Sequence, residues 1–176
     1  MFSSLLAHLL LALIFKCLSI PSQQPGGGLI AEGLASDGRF LYFTRNGPHC
    51  SNGSIARVRL DGHGLRTNYI VLPGRHCPQD LAYANGFLYW TEIGQGGRGF
   101  IGRASVDGAN VRAAWLTLSV GTSGGPWDVT ADARDVFWTW GGNGGPIVIG
   151  RASTSGRLLD ARFLTTRGGD ELALSS

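Results

Sequence analysis

The stretch Phe87-Leu88-Tyr89-Trp90-Thr91-Glu92 decides how this sequence is read. It occurs twice more in altered form, as Phe40-Leu41-Tyr42-Phe43-Thr44-Arg45 and as Asp135-Val136-Phe137-Trp138-Thr139-Trp140. Tyr42, Tyr89 and Phe137 stand 47 and 48 residues apart. Other anchors recur around them in the same order and at nearly the same spacing. Upstream, Gly33-Leu34-Ala35 matches Asp80-Leu81-Ala82 and Asp128-Val129-Thr130. Downstream, Ile55-Ala56-Arg57 matches Ile101-Gly102-Arg103 and Ile149-Gly150-Arg151, and Leu60-Asp61-Gly62 matches Val106-Asp107-Gly108 and the degraded Thr154-Ser155-Gly156. Self-similarity at a fixed period of this size is the mark of a repeat architecture.

Each unit reads as four short strands. In the second copy, a strand from Asp80 to Tyr83 ends at Asn85-Gly86, a pair that accepts positive φ at both positions and favours a tight hairpin. Phe87 to Glu92 is continuously apolar and aromatic, as expected of a strand covered on both faces. A Gly-rich loop (Gly94 to Gly99) leads to Phe100–Ser105, an Asp107-Gly108 turn and a better-alternating outer strand, Val111–Thr117. Four strands in some 45 residues is the pattern of a β-propeller blade. The fold class is therefore all-β, a propeller segment of three four-stranded blades at about 31–77, 78–125 and 126–169, within residues 29–170. Composition agrees. Gly supplies 28 of 176 residues, which disfavours a helical bundle, and 43% apolar with 15% charged residues excludes a disordered polyelectrolyte. Gly169-Asp170-Glu171-Leu172-Ala173 repeats the approach to a first strand, so residues 170–176 read as the start of an incomplete fourth blade or a disordered tail.

Tyr89-Trp90-Thr91-Glu92 followed by Ile101-Gly102-Arg103-Ala104-Ser105-Val106-Asp107-Gly108 resembles the low-density lipoprotein receptor class B repeat, the YWTD repeat. The chain is also similar to secreted bacterial proteins carrying that repeat. The likeness covers roughly residues 30–170. It implies a six-bladed propeller, of which this chain holds a part, acting as an extracellular binding or structural module without a catalytic centre or cofactor. The acid that ends the motif survives only as Glu92, with Arg45 and Trp140 in its place elsewhere.

Residues 1–20 read as a secretory signal, with Leu5–Phe15 apolar apart from His8 and Lys16 ending the run. An uncleaved interfacial anchor is the alternative, since no basic side chain precedes the apolar run. The net charge is +3 on the whole chain, with 15 basic residues scattered among 12 acidic ones. A nucleic-acid protein gathers its cations into a stripe, so no nucleic-acid partner is expected. Cleavage removes Lys16 and Cys17 and leaves two cysteines. Blade topology brings the second-to-third-strand loop and the blade-to-blade connection to one rim, placing Cys50 near Cys77. An even cysteine number in an exported chain then favours a disulfide.

The rival reading of the same rim is a metal site, because His49-Cys50 and His76-Cys77 form a doubled pair offering four ligands. Adjacent ligands are not the usual zinc spacing, and an oxidising compartment removes thiolates. The Gly-rich loops lack the helix and Gly-Lys-Ser/Thr that a phosphate cradle needs. Trp127 and Trp140 lie near loop ends and are the candidates for a contact surface. Asn52-Gly53-Ser54 is a glycosylation sequon if the source is eukaryotic. Arg57, Arg103 and Arg151 recur with the repeat, which argues for pairing or stacking between blades. The functional expectation is an exported, noncatalytic module that recognises an extracellular protein or glycan through rim loops. A propeller lyase or hydrolase with a metal-assisted rim site is the alternative, and a purely structural role is the second. Three blades leave two faces uncovered, so two copies completing six blades is a further expectation.

Overall fold

Residues 31–72, 74–94, 98–119, 124–141 and 146–166 are described by a computed structural model. The signal segment and the tail from Arg167 onward lie outside the described residues. Among the described residues, twelve strands in chain order form three antiparallel sheets of four. Blade 1 holds β1 (Leu34–Ser36), β2 (Phe40–Arg45), β3 (Ser54–Arg59) and β4 (Arg66–Val71). Blade 2 holds β5 (Pro78–Ala84), β6 (Phe87–Ile93), β7 (Gly99–Ser105) and β8 (Arg112–Leu118). Blade 3 holds β9 (Gly125–Ala131), β10 (Asp135–Gly141), β11 (Val148–Ser153) and β12 (Leu158–Thr165). Within each sheet the spatial order follows the chain. Neighbouring sheets meet mainly through β1, β5 and β9, the innermost strands. Three sheets stacked face to face around their first strands make a propeller segment. Asn85 and Gly86 both take positive φ (49° and 77°), the mirror-image turn that suits right-twisted strands.

In blades 1 and 2 the second strand is buried because both its faces are covered, whereas in blade 3 Phe137 and Thr139, on the face away from blade 2, are half-buried. The side chains of the second strand alternate between its two faces, and each side feeds a different apolar layer. Tyr42 with Ile55, Ile70 and Leu72 of blade 1 packs against Leu81, Leu88, Trp90 and Ala104 of blade 2. Tyr89 with Ile101, Leu116 and Leu118 of blade 2 packs in turn against Val129, Val136, Trp138 and Ala152 of blade 3. The recurring Thr clips the sheets together. Thr44 Oγ1 accepts from Gly33 N–H (2.8 Å) and donates to Gln79 O of the next blade (2.8 Å). Thr91 Oγ1 accepts from Asp80 N–H (3.1 Å) and donates to Trp127 O of blade 3 (2.6 Å). A hydroxyl at this buried position is satisfied as both donor and acceptor, which is why a polar residue persists in an aromatic strand.

The recurring Gly in the third strand answers the aromatic in the second. Trp90 lies opposite Gly102, and Trp138 opposite Gly150. A Cβ on either glycine would overlap the indole ring across from it. In blade 1 the pair is Phe43 opposite Ala56, a smaller ring over a methyl. Ring size and third-strand residue thus change together from blade to blade.

The recurring Arg was expected to pair or stack between blades. Its stacking partners instead lie within one blade, on the second and fourth strands. Arg57 sits over Phe40 (4.2 Å) and Tyr69 (3.9 Å), and Arg103 over Phe87 (3.7 Å) and Trp115 (5.3 Å). Blade 3 has Asp135 in place of that Phe, and Arg151 pairs with its carboxylate at 2.8 Å. The expected pairing between blades is made by Arg103, which donates to Thr154 O of blade 3 at 3.3 Å. The planar cation fills the gap between outer strands and keeps its charge near the surface.

Candidate functional site

The two rims of the blades differ in kind. On one, the tight turns consume their own polar groups. Asp61 Oδ1 accepts from His63 N–H, Asp107 Oδ1 from Ala109 N–H, and Asp132 Oδ1 from Arg134 and Asp135 N–H. These backbone donors hold the Asp61 and Asp132 carboxyls below the usual carboxylate range. Acids committed to turns in this way are poor candidates for acid–base work. The other rim carries the longer loops between second and third strands and the connections between blades. It is where the sequence candidates converge.

Cys50 and Cys77 are joined there by a disulfide with Cα atoms 4.8 Å apart, tying the β2–β3 loop to the connection leading into blade 2. Arg75 Nη2 donates to His49 O at 3.3 Å across the same junction. His76 lies half-buried, its Nδ1 2.6 Å from Glu92 Oε1. The same oxygen accepts from Cys77 N–H at 3.3 Å, while Glu92 Oε2 is buried and meets no hydrogen-bond geometry with a partner among the described residues. Burial holds the Glu92 carboxyl above its usual range, and the His76 and Cys77 contacts only partly oppose it. The three residues ending the repeated motif therefore have three unlike uses. Arg45 donates to Thr67 O (2.7 Å) and Asn68 Oδ1 (3.0 Å) of the outer strand, Glu92 holds the rim histidine, and Trp140 packs as core.

Trp140 corrects the expectation of a second contact-surface tryptophan. It is 0% exposed, packed in the layer between blades 2 and 3 against Gly99. Its side chain shares a face with Trp138, two residues earlier, and that face is covered by blade 2. Nearness to a loop in the sequence does not decide which way a strand residue points. Trp127 is 48% exposed, its Nε1 donating to Gly141 O at 3.1 Å, so the ring is held in place on the surface. Asn52 and His49 are exposed on the loop beside the disulfide. The four-ligand metal reading loses both thiolates to the disulfide, and His76 Nδ1 is engaged by Glu92. Among the described residues, no group of three or more His, Cys, Asp or Glu side chains is placed to hold a metal ion. No helix of the described residues is long and apolar enough to cross a membrane. The His76–Glu92 pair was not anticipated; the one signal for it was a lone acid surviving where the other copies had lost theirs.

A carboxyl whose folded pKa is raised disfavours the folded state once the pH climbs past the ordinary value of 4.5, because burial opposes ionisation. Glu92→Gln keeps a carbonyl acceptor and removes the charge. It is expected to melt above the parent protein at pH 7, with the difference closing as the pH drops below that value. Thermal melts of the two proteins from pH 3 to pH 8 test this; a difference independent of pH, or of opposite sign at pH 7, contradicts it.

No family model matches this chain, and no curated protein is similar to it at a significant level. Among solved structures, one titled "Crystal structure of Nidogen/Laminin Complex" is similar in fold. Its TM-score is 0.56 at 24% sequence identity, over 73% of this chain and 46% of that chain. The protein thus spans less than half the length of that relative. The likeness establishes the β-propeller fold.

Proposed function

We propose that this chain is an exported, noncatalytic propeller module that binds an extracellular protein or glycan through the loop-bearing rim. The observation that carries the reading is the contrast between the rims. One is built of saturated turns, and the other presents Trp127, held by Gly141 O in blade 3, and His49 and Arg75 on backbone anchored by the Cys50–Cys77 disulfide. A fixed, exposed aromatic on a rim that also carries adaptable polar groups is the composition of a binding hot spot. Export rests on the apolar run near the N-terminus and on the disulfide, since such bonds persist in oxidising compartments. That a propeller of similar fold is found in a complex of nidogen with laminin supports protein recognition as one use of this scaffold.

Arrays of extracellular proteins and of glycans, probed with the purified chain, test the proposal. Trp127→Ala is expected to weaken whatever binding is found by roughly tenfold or more, as truncation of an anchoring tryptophan does, with the circular dichroism spectrum unchanged. Unaltered affinity removes Trp127 from the site. One observation favours the second reading, a lyase or hydrolase with a metal on this rim: beside His76, the buried Oε2 of Glu92 meets no hydrogen-bond geometry with a partner among the described residues. Stoichiometric zinc or magnesium in the purified protein, lost in Glu92→Gln, supports that reading over the first. A purely structural role is the outcome if neither binding nor metal is found.

A further inference from the structure

The β2–β3 loop that Cys50 ties down is held in an uncommon backbone state. His49, Cys50 and Asn52 all take positive φ (54°, 60° and 54°). Single left-handed residues are uncommon outside glycine, and L-residues avoid two in succession, as at His49 and Cys50, because Cβ crowds the following carbonyl. Such a state persists only where the surroundings impose it. Both ends of the loop are fixed. Before it, Asn46 is buried and its Nδ2 donates to Pro78 O at 2.8 Å. After it, Gly53 O accepts from Leu72 N–H at 3.0 Å, and a Cβ on Gly53 would overlap His76 O. Between them the disulfide draws Cys50 onto Cys77, at the edge of the same connection.

Opening that bond leaves the blade in place. β2 still pairs with β3 from Phe40↔Arg59 to Arg45↔Ser54, Thr44 still donates to Gln79 O, and Tyr42, Ile55 and Ile70 keep their layer against blade 2. The residues that gain freedom are 48–52. Both cysteines are half-buried, so a thiol can reach the bond from the rim. The charges around the two sulfurs are unlike. Arg75 Nη2 donates at 3.3 Å to His49 O, the carbonyl bonded to the Cys50 nitrogen. Cys77 N–H instead donates to the Glu92 carboxylate, also at 3.3 Å. A neighbouring cation favours a thiolate and a neighbouring carboxylate opposes it, which makes Cys50 the better leaving group.

We infer that Cys50–Cys77 is an exchangeable disulfide, opened by a dithiol while the protein stays folded. One thiolate of the dithiol attacks Cys77 Sγ. A mixed disulfide forms there as the Cys50–Cys77 bond breaks, and Cys50 departs as a thiolate beside Arg75. The second thiolate then attacks the dithiol sulfur of the mixed disulfide and releases Cys77. The dithiol ends as its own disulfide, having passed both electrons and both protons to the cysteines. The left-handed turn at His49 and Cys50 loses the bond that imposes it, and relief of that turn favours the open form. The inference stands apart from the rim-binding reading, because exchange is measured on this chain without any ligand.

Equilibration of the purified chain in dithiothreitol redox buffers without denaturant is the test. Samples are quenched in acid and alkylated, and the peptides bearing Cys50 and Cys77 are weighed. Both cysteines are expected to open together while the fluorescence of the buried Trp90, Trp138 and Trp140 stays native. Opening only where the fluorescence reports unfolding overturns the inference. His49→Gly with Asn52→Gly accepts the left-handed turn without a Cβ clash. This variant is expected to need roughly tenfold more reduced over oxidised dithiothreitol for half-opening. An unchanged or smaller ratio overturns relief of the turn as the driving force. Glutathione, a monothiol, halts the exchange at the mixed disulfide. The trapped adduct is expected on Cys77; an adduct on Cys50 overturns the direction of attack.

Discussion

Gly102→Ala is expected to destabilise the protein by about 3 kcal/mol or more, because the Trp90 indole occupies the space a methyl group would need. The indole cannot slide aside cheaply. It is fully buried, in the layer that joins blade 2 to Leu72, Ile70 and Tyr42 of blade 1. Displacing it loses much of the packing of the largest side chain in that layer, and for a domain of this size the loss corresponds to a melting point lower by roughly 10 °C. The blade 1 pair supplies the control. Phe43 opposite Ala56 shows that a phenyl ring tolerates a methyl across the strand. Trp90→Phe is therefore expected to restore part of what Gly102→Ala loses. The double variant should be more stable than the sum of the two single effects, by at least about 1 kcal/mol of coupling, as contacting residues show. Denaturant unfolding of the four proteins measures the cycle. Additive effects would mean that the glycine serves its own backbone and not the ring.

Loss of the Cys50–Cys77 disulfide carries the second large effect. The cysteines are 27 residues apart in sequence. Opening a loop of that length raises the entropy of the unfolded chain by the equivalent of about 3.5 kcal/mol in the chain-entropy description. The closed loop contains β3 and β4, so the bond ties the outer half of blade 1 to the entry of blade 2. Cys50→Ala with Cys77→Ala, and the reduced parent protein, are expected to unfold at the same lower denaturant concentration. Oxidised parent protein should unfold well above both. Equal midpoints for oxidised and reduced protein would show that native contacts, and not the covalent link, hold the rim together.

Much of the fold was legible in one dimension because the repeat reports itself. Recurrence of Tyr42, Tyr89 and Phe137 with their flanking anchors reveals the unit, Asn85-Gly86 and Asp107-Gly108 reveal its turns, and unbroken apolar second strands reveal cover on both faces. The candidate site was legible only in part. Topology alone sends Cys50 and Cys77 to one rim. It does not say that Trp127 turns outward and Trp140 inward, because a strand's period of two tells which residues share a face and is silent about what lies on that face. The recurring Arg showed a similar limit: its repetition pointed to a structural role, but whether it stacks within a blade or between blades depends on the distance between outer strands.

That three similar four-stranded units follow one another is written in the residues alone, since each unit's turns and strand periods are local properties of short segments. The tertiary structure decided which groups those units share. The Thr44 and Thr91 clips, the Asp80 carboxylate on Val129 N–H and the indoles over Gly102 and Gly150 all join residues distant in sequence or opposed across strands. Such contacts depend on the separation and stagger of packed sheets. Only that packing shows that Thr139 and Asp128, alike in sequence to their counterparts, bond to each other instead of to a following inner strand.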